Sequence, residues 1–245
     1  MSARVHMMRL DKYIADTSGF TRSQAAKAIR SGTVLVNGLA VRKPEQKVNE
    51  LTDIVTVDGK ICRYQRFHYY LLDKPTGLIT ASKDPRQPTV LDLFPPEIRK
   101  QGIFPVGRLD KDTTGLLFLT TDGELNHRLL SPGRHVEKRY RALVEGEPDA
   151  KDAEAFAAGM DLGDFTAQPA RLTMLGPSLA EVVISEGKFH QVKRMFSAVG
   201  HEVISLHRCA FGPLELDPAL AEGQWRELTA EELAALRKAA GMEEP

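Results

Sequence analysis

Residues 107–120 read GRLDKDTTGLLFLT, a charged stretch that runs directly into an apolar one. The charged side chains fall within five positions and are Arg108, Asp110, Lys111 and Asp112. The apolar run predicts a buried strand, and side chains mounted on such a strand are held rigidly. Asp110 lies between two cations, which favour an ionised carboxylate, the form that a nucleophile requires. We therefore expect this loop to carry functional side chains.

The bulk composition predicts a globular protein. The 245 residues are 42% hydrophobic and 27% charged, which is enough to bury a sizeable core. No long apolar run and no apolar leader occurs, so we expect a soluble, cytoplasmic protein. Cys62 and Cys209 are far apart, the seven histidines are scattered, and no phosphate-cradling glycine motif is present. We expect reduced thiols, no metal site and no nucleotide-binding cradle.

The charge is distributed unevenly along a chain of zero net charge. Residues 1–66 hold 12 Lys/Arg and 6 Asp/Glu, a balance of +6, so the remainder carries −6. A basic first quarter on a neutral protein is typical of contact with an anionic polymer, although a merely solvated basic face would look the same.

The N-terminal segment has clear local signals. Thr21 and Gln24 form a T-x-x-Q capping box that predicts a helix ending at Gly32. Asn37-Gly38, between two short apolar runs, predicts a hairpin, and Asp58-Gly59 predicts a further turn. We expect a small domain over residues 1–60, with phosphate contacts from its surface cations. These cations are Arg22, Lys27, Arg30, Arg42 and Lys43.

Residues 61–67 are predicted to be a connector, and residues 68–245 a second domain. Strand and helix patterns are intermixed there without regular βαβ spacing. This favours the α+β class, with a mixed, largely antiparallel sheet flanked by helices. The strand EKRYRALVEG has Tyr140 and Leu143 among its apolar members. Tyr140 is consistent with half-buried packing or with a platform on which an unpaired base stacks.

A helix predicted over residues 188–199 would be amphipathic. Its apolar face would contain Phe189, Val192, Met195, Phe196 and Val199. Its opposite face would contain His190, Lys193, Arg194 and Ser197. This face could be a solvated stripe or could contact a phosphate backbone. Lys193, nearer the buried edge, could also direct its ammonium group toward a buried carboxylate.

At these residues the chain resembles a known family. KPTGLI (74–79), GRLDKDTTGLLFLTTDGEL (107–125), EKRY (137–140) and ISEGKFHQVKRM (184–195) are similar to successive motifs of the RsuA-type pseudouridine synthases. The N-terminal segment is similar to the S4 RNA-binding domain that precedes their catalytic domain. HVEKRY and ISEGKFHQVKRMF look closer to the small-subunit rRNA enzyme than to its large-subunit relatives.

The resemblance implies an α+β catalytic fold and the isomerisation of a uridine in ribosomal RNA, without a cofactor. The substrate would be 16S rRNA or an assembling small subunit, modified at the position-516 type of site, by a monomeric protein. Asp110 matches the family's catalytic aspartate, Arg108 the arginine that supports flipping, and Tyr140 the tyrosine that stacks on the base. Lys193 matches the aspartate's basic partner, with Arg194 as the alternative. Further RNA contacts are expected from Lys74, His190 and Arg194.

Three alternatives stay open. The protein could be a large-subunit (23S) enzyme of the same family, or an S4-type binding or ribosome-assembly factor without catalysis. A hydrolase that uses Asp110 with Asp112 is disfavoured, since two acids two positions apart on a loop do not form a catalytic pair by themselves. The sequence also leaves open whether Asp110 adds to the base or assists at the sugar carbon.

Overall fold

The computed structural model describes residues 7–50 and 52–242 of the chain. These residues form two compact units that divide between Arg66 and Phe67. Ile61 and Cys62, which the sequence analysis placed in the connector, instead belong to the last strand of the first unit. They are recruited because the turn at Asp58-Gly59 folds them back onto the preceding strand.

The first unit has two helices and six short strands. In chain order these are β1 (Met7–Arg9), α1 (Leu10–Ser18), α2 (Arg22–Ser31), β2 (Val34–Val36), β3 (Leu39–Ala40), β4 (Lys47–Asn49), β5 (Val55–Val57) and β6 (Lys60–Cys62). The strands form a sheet in the order β3-β2-β5-β6 and a separate β1-β4 pair. Leu10, Tyr13 and Ile14 of α1 pack into the core of this unit.

The local signals of the first unit are confirmed. Thr21 and Gln24 form the predicted capping box, and Gly32 ends α2 with a positive φ of 85°. Asn37 and Gly38 both have positive φ, which is the requirement of the two-residue turn that connects β2 and β3.

The second unit has eleven strands, five α-helices and two 3₁₀ turns. The elements up to the middle of the unit are β7 (Tyr69–Lys74), a 3₁₀ turn (Val90–Leu93), α3 (Pro96–Arg99), β8 (Phe104–Pro105), β9 (Thr114–Thr120), α4 (Gly123–Leu130), a 3₁₀ turn (Pro132–Arg134), β10 (Lys138–Val144) and α5 (Ala150–Ala158). The remaining elements are β11 (Met160–Asp161), β12 (Thr166–Ala167), β13 (Arg171–Met174), β14 (Leu179–Ile184), α6 (Gln191–Ala198), β15 (Val203–Phe211), β16 (Leu214–Glu215), β17 (Trp225–Glu227) and α7 (Ala230–Ala239).

A nine-stranded sheet dominates the second unit, in the order β13-β14-β10-β15-β9-β7-β17, with β16 beside β15 and β8 beside β9. Among the pairs described, β9 and β15 run parallel and the others antiparallel. Gly115 permits this close parallel approach, because a Cβ there would collide with the backbone of Arg208. The predicted α+β class with a mixed, largely antiparallel sheet is confirmed.

Alternating residues of the central strands enter two cores, one on each face of the sheet. Leu117 and Leu119 of β9 pack in one core together with Tyr140 and the apolar side of α6. Leu116 and Phe118 pack in the other, beneath α4 and α7. The loop that precedes β9 is therefore anchored to a strand buried on both faces, as the apolar run at 115–119 predicted.

Two residues that the sequence analysis placed among the apolar members of a strand or on the apolar face of a helix are exposed. Leu143 lies on the face of β10 opposite Tyr140, because side chains alternate along a strand. Phe189 is 74% exposed, because the helix begins only at Gln191 and Phe189 precedes it. Within the described residues, none of the helices has the length and apolar character that crossing a membrane requires.

Candidate active site

The Asp110 loop (residues 106–113) connects β8 to β9, and Lys74 and the segment that follows β7 contact it from one side. Lys74, the last residue of β7, is fully buried. Its Nζ donates to the carbonyl oxygens of Lys111 at 3.3 Å, Thr113 at 2.9 Å and Pro75 at 2.9 Å. A single ammonium group thus binds two carbonyls of the loop and one of its own segment.

The predicted RNA contact of Lys74 is therefore wrong. Burial lowers the pKa of its ammonium group to about 8, while Asp112 and Asp110 oppose this shift. An ammonium group whose donors are used by buried carbonyls is not available to a phosphate. The KPTGLI segment is instead a structural support for the loop.

Thr80 provides a second support for the Asp110 loop. Its hydroxyl donates to the carbonyl of Leu109 at 2.7 Å and accepts from the Leu109 amide at 3.2 Å. Gly77 adds a backbone hydrogen bond to the carbonyl of Lys111, at 2.8 Å. Sequence reasoning missed Thr80; its one available signal is a hydroxyl at the end of the apolar stretch GLI.

The other side of the loop faces the start of α6. Lys193 Nζ lies 3.5 Å from Asp110 Oδ2 and 2.6 Å from Asp112 Oδ1. His190 Nε2 lies 3.6 Å from Asp110 Oδ1. The predicted Asp110–Lys193 ion pair is present, but Lys193 is closer to Asp112. Hydrogen bonding from Lys193 holds the pKa of Asp112 below its usual range.

The backbone of His190 sets this geometry. Its φ of 51° is a conformation that few non-glycine residues adopt, and it turns the chain into α6. Phe189 stacks on the His190 ring, with centroids 3.8 Å apart. Gln191, which the sequence analysis did not select, is buried, and its side-chain carbonyl accepts from the Lys188 amide.

Arg194 is not the partner of Asp110. Its guanidinium group binds Asp164 and the carbonyl of Leu162, and it lies over the Phe165 ring, 4.8 Å from the centroid. A step of one residue along a helix rotates a side chain by about 100°, so Lys193 and Arg194 cannot both face the same carboxylate. Of the two alternatives, the structure selects Lys193.

Five of the predicted residues line one cleft, namely Arg108, Asp110, Tyr140, His190 and Lys193. Asp110 is 28% exposed and Arg108 is exposed, whereas the Tyr140 ring is 7% exposed. The cleft has a volume of about 60 Å³, room for only a few water molecules. A nucleotide that enters it must therefore extend beyond it.

The predicted cations of the first unit are all exposed: Arg22, Lys27, Arg30, Arg42 and Lys43. Two of them already have partners. Arg22 lies 3.3 Å from Asp11, and Arg42 donates to the Arg30 carbonyl near the end of α2, at 3.2 Å. Within the part of the chain that the structure describes, no group of three His, Cys, Asp or Glu side chains is arranged to hold a metal ion.

Comparisons with known proteins identify one family. Residues 68–198 match the model of the RNA pseudouridylate synthase family, and residues 8–55 match that of the S4 domain. Ribosomal small subunit pseudouridine synthase A of Escherichia coli is 41% identical, over 94% of this chain and 100% of its own. An uncharacterized RNA pseudouridine synthase of Bacillus subtilis, YtzG, is also 41% identical, over 94% of this chain and 99% of its own.

A solved structure shares the fold as well. A crystal structure of a pseudouridylate synthase superposes with a TM-score of 0.67 at 38% identity, covering 94% of this chain and 99% of the other. The match includes both the S4 region and the region that contains the Asp110 loop. The chain therefore belongs to the RNA pseudouridine synthase family of isomerases and carries an S4 domain ahead of its synthase region.

Proposed function

We propose that this protein converts one uridine of small-subunit (16S) ribosomal RNA to pseudouridine, at the position-516 type of site, with Asp110 acting on the target nucleotide. The observation that carries the proposal is the convergence of Asp110, Lys193, Arg108 and Tyr140 on one cleft. The relatives named as small-subunit enzymes, at about 41% identity over 94% of the chain, support the choice of RNA.

The reaction rearranges bonds within one nucleotide. The bond from the ribose to N1 of uracil breaks, a bond from the ribose to C5 forms, C5 loses a proton and N1 gains one. Atoms and electrons balance without a co-reactant. Asp110 acts either by adding to the base or by assisting at the sugar carbon. In both routes its carboxylate must contact a nucleotide that has been extruded from the RNA stack.

The cleft can compensate the cost of extrusion. Taking a base out of the RNA stack costs a few kcal/mol. Stacking on the Tyr140 ring returns about 1–3 kcal/mol. Arg108, exposed at the start of the same loop, can fill the space that the base leaves. Lys193 Nζ, 3.5 Å from Asp110 Oδ2, helps to hold the carboxylate in position.

The two units would have different roles, RNA binding in the first and catalysis in the second. The exposed cations of the first unit would bind phosphates and supply affinity, while the unit from residue 68 carries the chemistry. The protein would act as a monomer, since every member of the proposed site comes from a single chain.

The test maps pseudouridine in unmodified small- and large-subunit rRNA transcripts, with and without bound ribosomal proteins, by carbodiimide treatment and primer extension. We expect one new stop in the small-subunit RNA, absent with Asp110→Asn and retained with Asp161→Asn. Asp161 is an exposed aspartate outside the cleft, so it is a matched control. A stop only in large-subunit RNA would overturn the choice of RNA, and tight binding without any stop would favour a binding factor.

A further inference from the structure

A second cavity, of about 300 Å³, lies beside the Asp110 cleft, between β10, β15 and the segment before α6. Arg108 and Tyr140 line both spaces, so the two share a wall. Its described lining contains four cations and one carboxylate, which are Arg108, Lys138, Lys188, Arg208 and Glu186. The cleft also has more cations than carboxylates, but there Lys193 lies 3.5 Å from the Asp110 carboxylate.

Arg208 has unused hydrogen-bonding capacity in this cavity. Its side chain comes from β15 and is only 2% exposed. Nε donates to the carbonyl of Leu116 at 2.7 Å, but Nη2 is buried without a hydrogen-bond partner among the described residues. Buried charged donors normally have acceptors, because leaving them unmatched is costly. Arg208, a residue of the cavity wall, therefore carries an unmatched buried donor.

Lys138 is a second cation without a counterion. Its Nζ donates to the carbonyl of Val136 at 2.7 Å and lies 5.6 Å from the centroid of the Phe211 ring. No carboxylate of the described residues forms an ion pair with Lys138 or Arg208. Burial and the neighbouring Arg208 lower the pKa of Lys138 to about 8, so the fold holds this charge in an unfavourable environment.

Glu186 is already occupied by other donors. Its Oε1 accepts from the amide of Gln168 at 2.8 Å and from Nε2 of Gln191 at 2.8 Å. These bonds hold the carboxylate at the wall of the cavity, where its charge acts on Lys138 but where, among the described residues, it forms no ion pair with Lys138 or Arg208. An anion that enters the cavity would provide both the missing acceptor and the missing charge.

We propose that this cavity binds a phosphodiester group of the RNA strand that flanks the target uridine, with Lys138 and Arg208 as its principal contacts. This inference rests on the proposed function, since it places an RNA nucleotide in the neighbouring cleft. The shared wall of Arg108 and Tyr140 puts the phosphate next to the extruded nucleotide. The contact would fix the register of the strand, so that one uridine reaches Asp110.

The principal test uses an RNA in which a neutral methylphosphonate replaces one phosphate, either 5′ or 3′ of the modified uridine. With the wild-type protein, one of the two replacements is expected to weaken binding about tenfold. Lys138→Met retains the aliphatic stem and is expected to weaken binding of the unaltered RNA by a similar factor. In this variant the methylphosphonate should weaken binding less than it does in the wild-type protein, because only the Arg208 contact remains to be lost.

Salt dependence gives a second measure. Losing one phosphate contact lowers the slope of log affinity against log salt concentration by about 0.7–0.9. Lys138→Met should show this decrease. Lys151→Met, at an exposed lysine of α5 that does not line the cavity, should not. If Lys138→Met and the methylphosphonate weaken binding additively at both positions, the proposal is overturned.

An RNA-free measurement separates this proposal from the proposed function. Inorganic phosphate, compared with chloride at equal ionic strength, should raise the Tm of the wild-type protein and of Lys151→Met more than that of Lys138→Met. Arg208→Met, which removes the unmatched Nη2, should also reduce the shift. Equal shifts in all four proteins would reject the phosphate site, even if pseudouridine formation is observed. If no rRNA is modified, a shift confined to the proteins with an intact cavity would still support it.

Discussion

The two sides of the Asp110 loop use lysine in opposite ways. On the β7 side, Lys74 is fully buried and binds only backbone carbonyls. On the α6 side, the Lys193 side chain is 21% exposed and binds the carboxylates of Asp110 and Asp112. The first lysine fixes the position of the loop, and the second sets the electrostatics at its surface. The sequence analysis assigned both to RNA or catalysis, because residue type alone does not distinguish these roles.

The largest expected effect is on the catalytic rate, and it follows from substitution of Lys193 on the α6 side of the loop. Lys193→Met should lower the rate of pseudouridine formation by about 10²–10³-fold, because a preorganised cation beside the reacting group is lost. The free energy of unfolding should change by less than about 1 kcal/mol, since the pair is partly exposed. Single-turnover rates and urea unfolding measure the two quantities. Lys193→Arg should recover most of the rate, and a variant that loses stability rather than rate would contradict the assignment.

The second largest expected effect is on stability, and it follows from substitution of Lys74 on the β7 side of the loop. Lys74→Met removes the ammonium donor of the Thr113 and Pro75 carbonyls and one of the two donors of the Lys111 carbonyl, so the free energy of unfolding should fall by about 2–3 kcal/mol. Trp225 is the single tryptophan of the chain and lies in the same unit, so its fluorescence reports this transition in urea. A loss below about 0.5 kcal/mol would show that Lys74 is not the support of the loop.

A smaller effect on the same side concerns Thr80. Thr80→Val keeps the shape but removes both hydrogen bonds to Leu109, and should cost about 1–2 kcal/mol. Thr80→Ser retains the hydroxyl and is the matched control. Urea unfolding of both variants makes the comparison, and equal losses would attribute the effect to packing rather than to the hydroxyl.

The smallest expected effect on stability concerns an ion pair that contacts neither side of the Asp110 loop. His201 Nδ1 bonds to the carbonyl of Glu145 at 2.9 Å and Nε2 to Asp152 at 3.0 Å, and these contacts raise the pKa of His201. Its contribution to stability is complete below pH 6.5 and is lost as pH rises through the raised pKa. The free energy of unfolding of the wild-type protein should be higher than that of His201→Gln, and this difference should be larger at pH 5.5 than at pH 8.5. The increase should be less than about 1 kcal/mol. If the stability difference between the two proteins does not change with pH, the predicted contribution of protonated His201 is contradicted.

Local features were predicted well because their causes are local. The capping box at Thr21, the turns at Asn37-Gly38 and Asp58-Gly59, and the buried run after the Asp110 loop each depend on a few neighbouring residues. The convergence of Asp110, Tyr140 and Lys193 came from family resemblance, since no local rule brings together residues 83 positions apart.

The errors have tertiary causes. Lys74 was assigned to RNA because its burial depends on the Asp110 loop folding over it. Phe189 was placed on the apolar face of the helix because the helical period was extended back through His190. In the structure His190 has a positive φ and the helix begins only after it. Lys138 and Arg208 were not recognised as a pair, because only the pairing of β10 with β15 places them at one cavity.

The most direct test of the central claim is a single-turnover assay with small-subunit rRNA tritiated at C5 of its uridines, since moving the glycosidic bond to C5 releases that hydrogen. Asp110→Asn should reduce the rate of tritium release by at least about 10³-fold and change the Kd for the RNA by less than about threefold. Comparable release by Asp110→Asn and the wild-type protein would contradict the account, because the carboxylate at the centre of the cleft would then have no part in the chemistry.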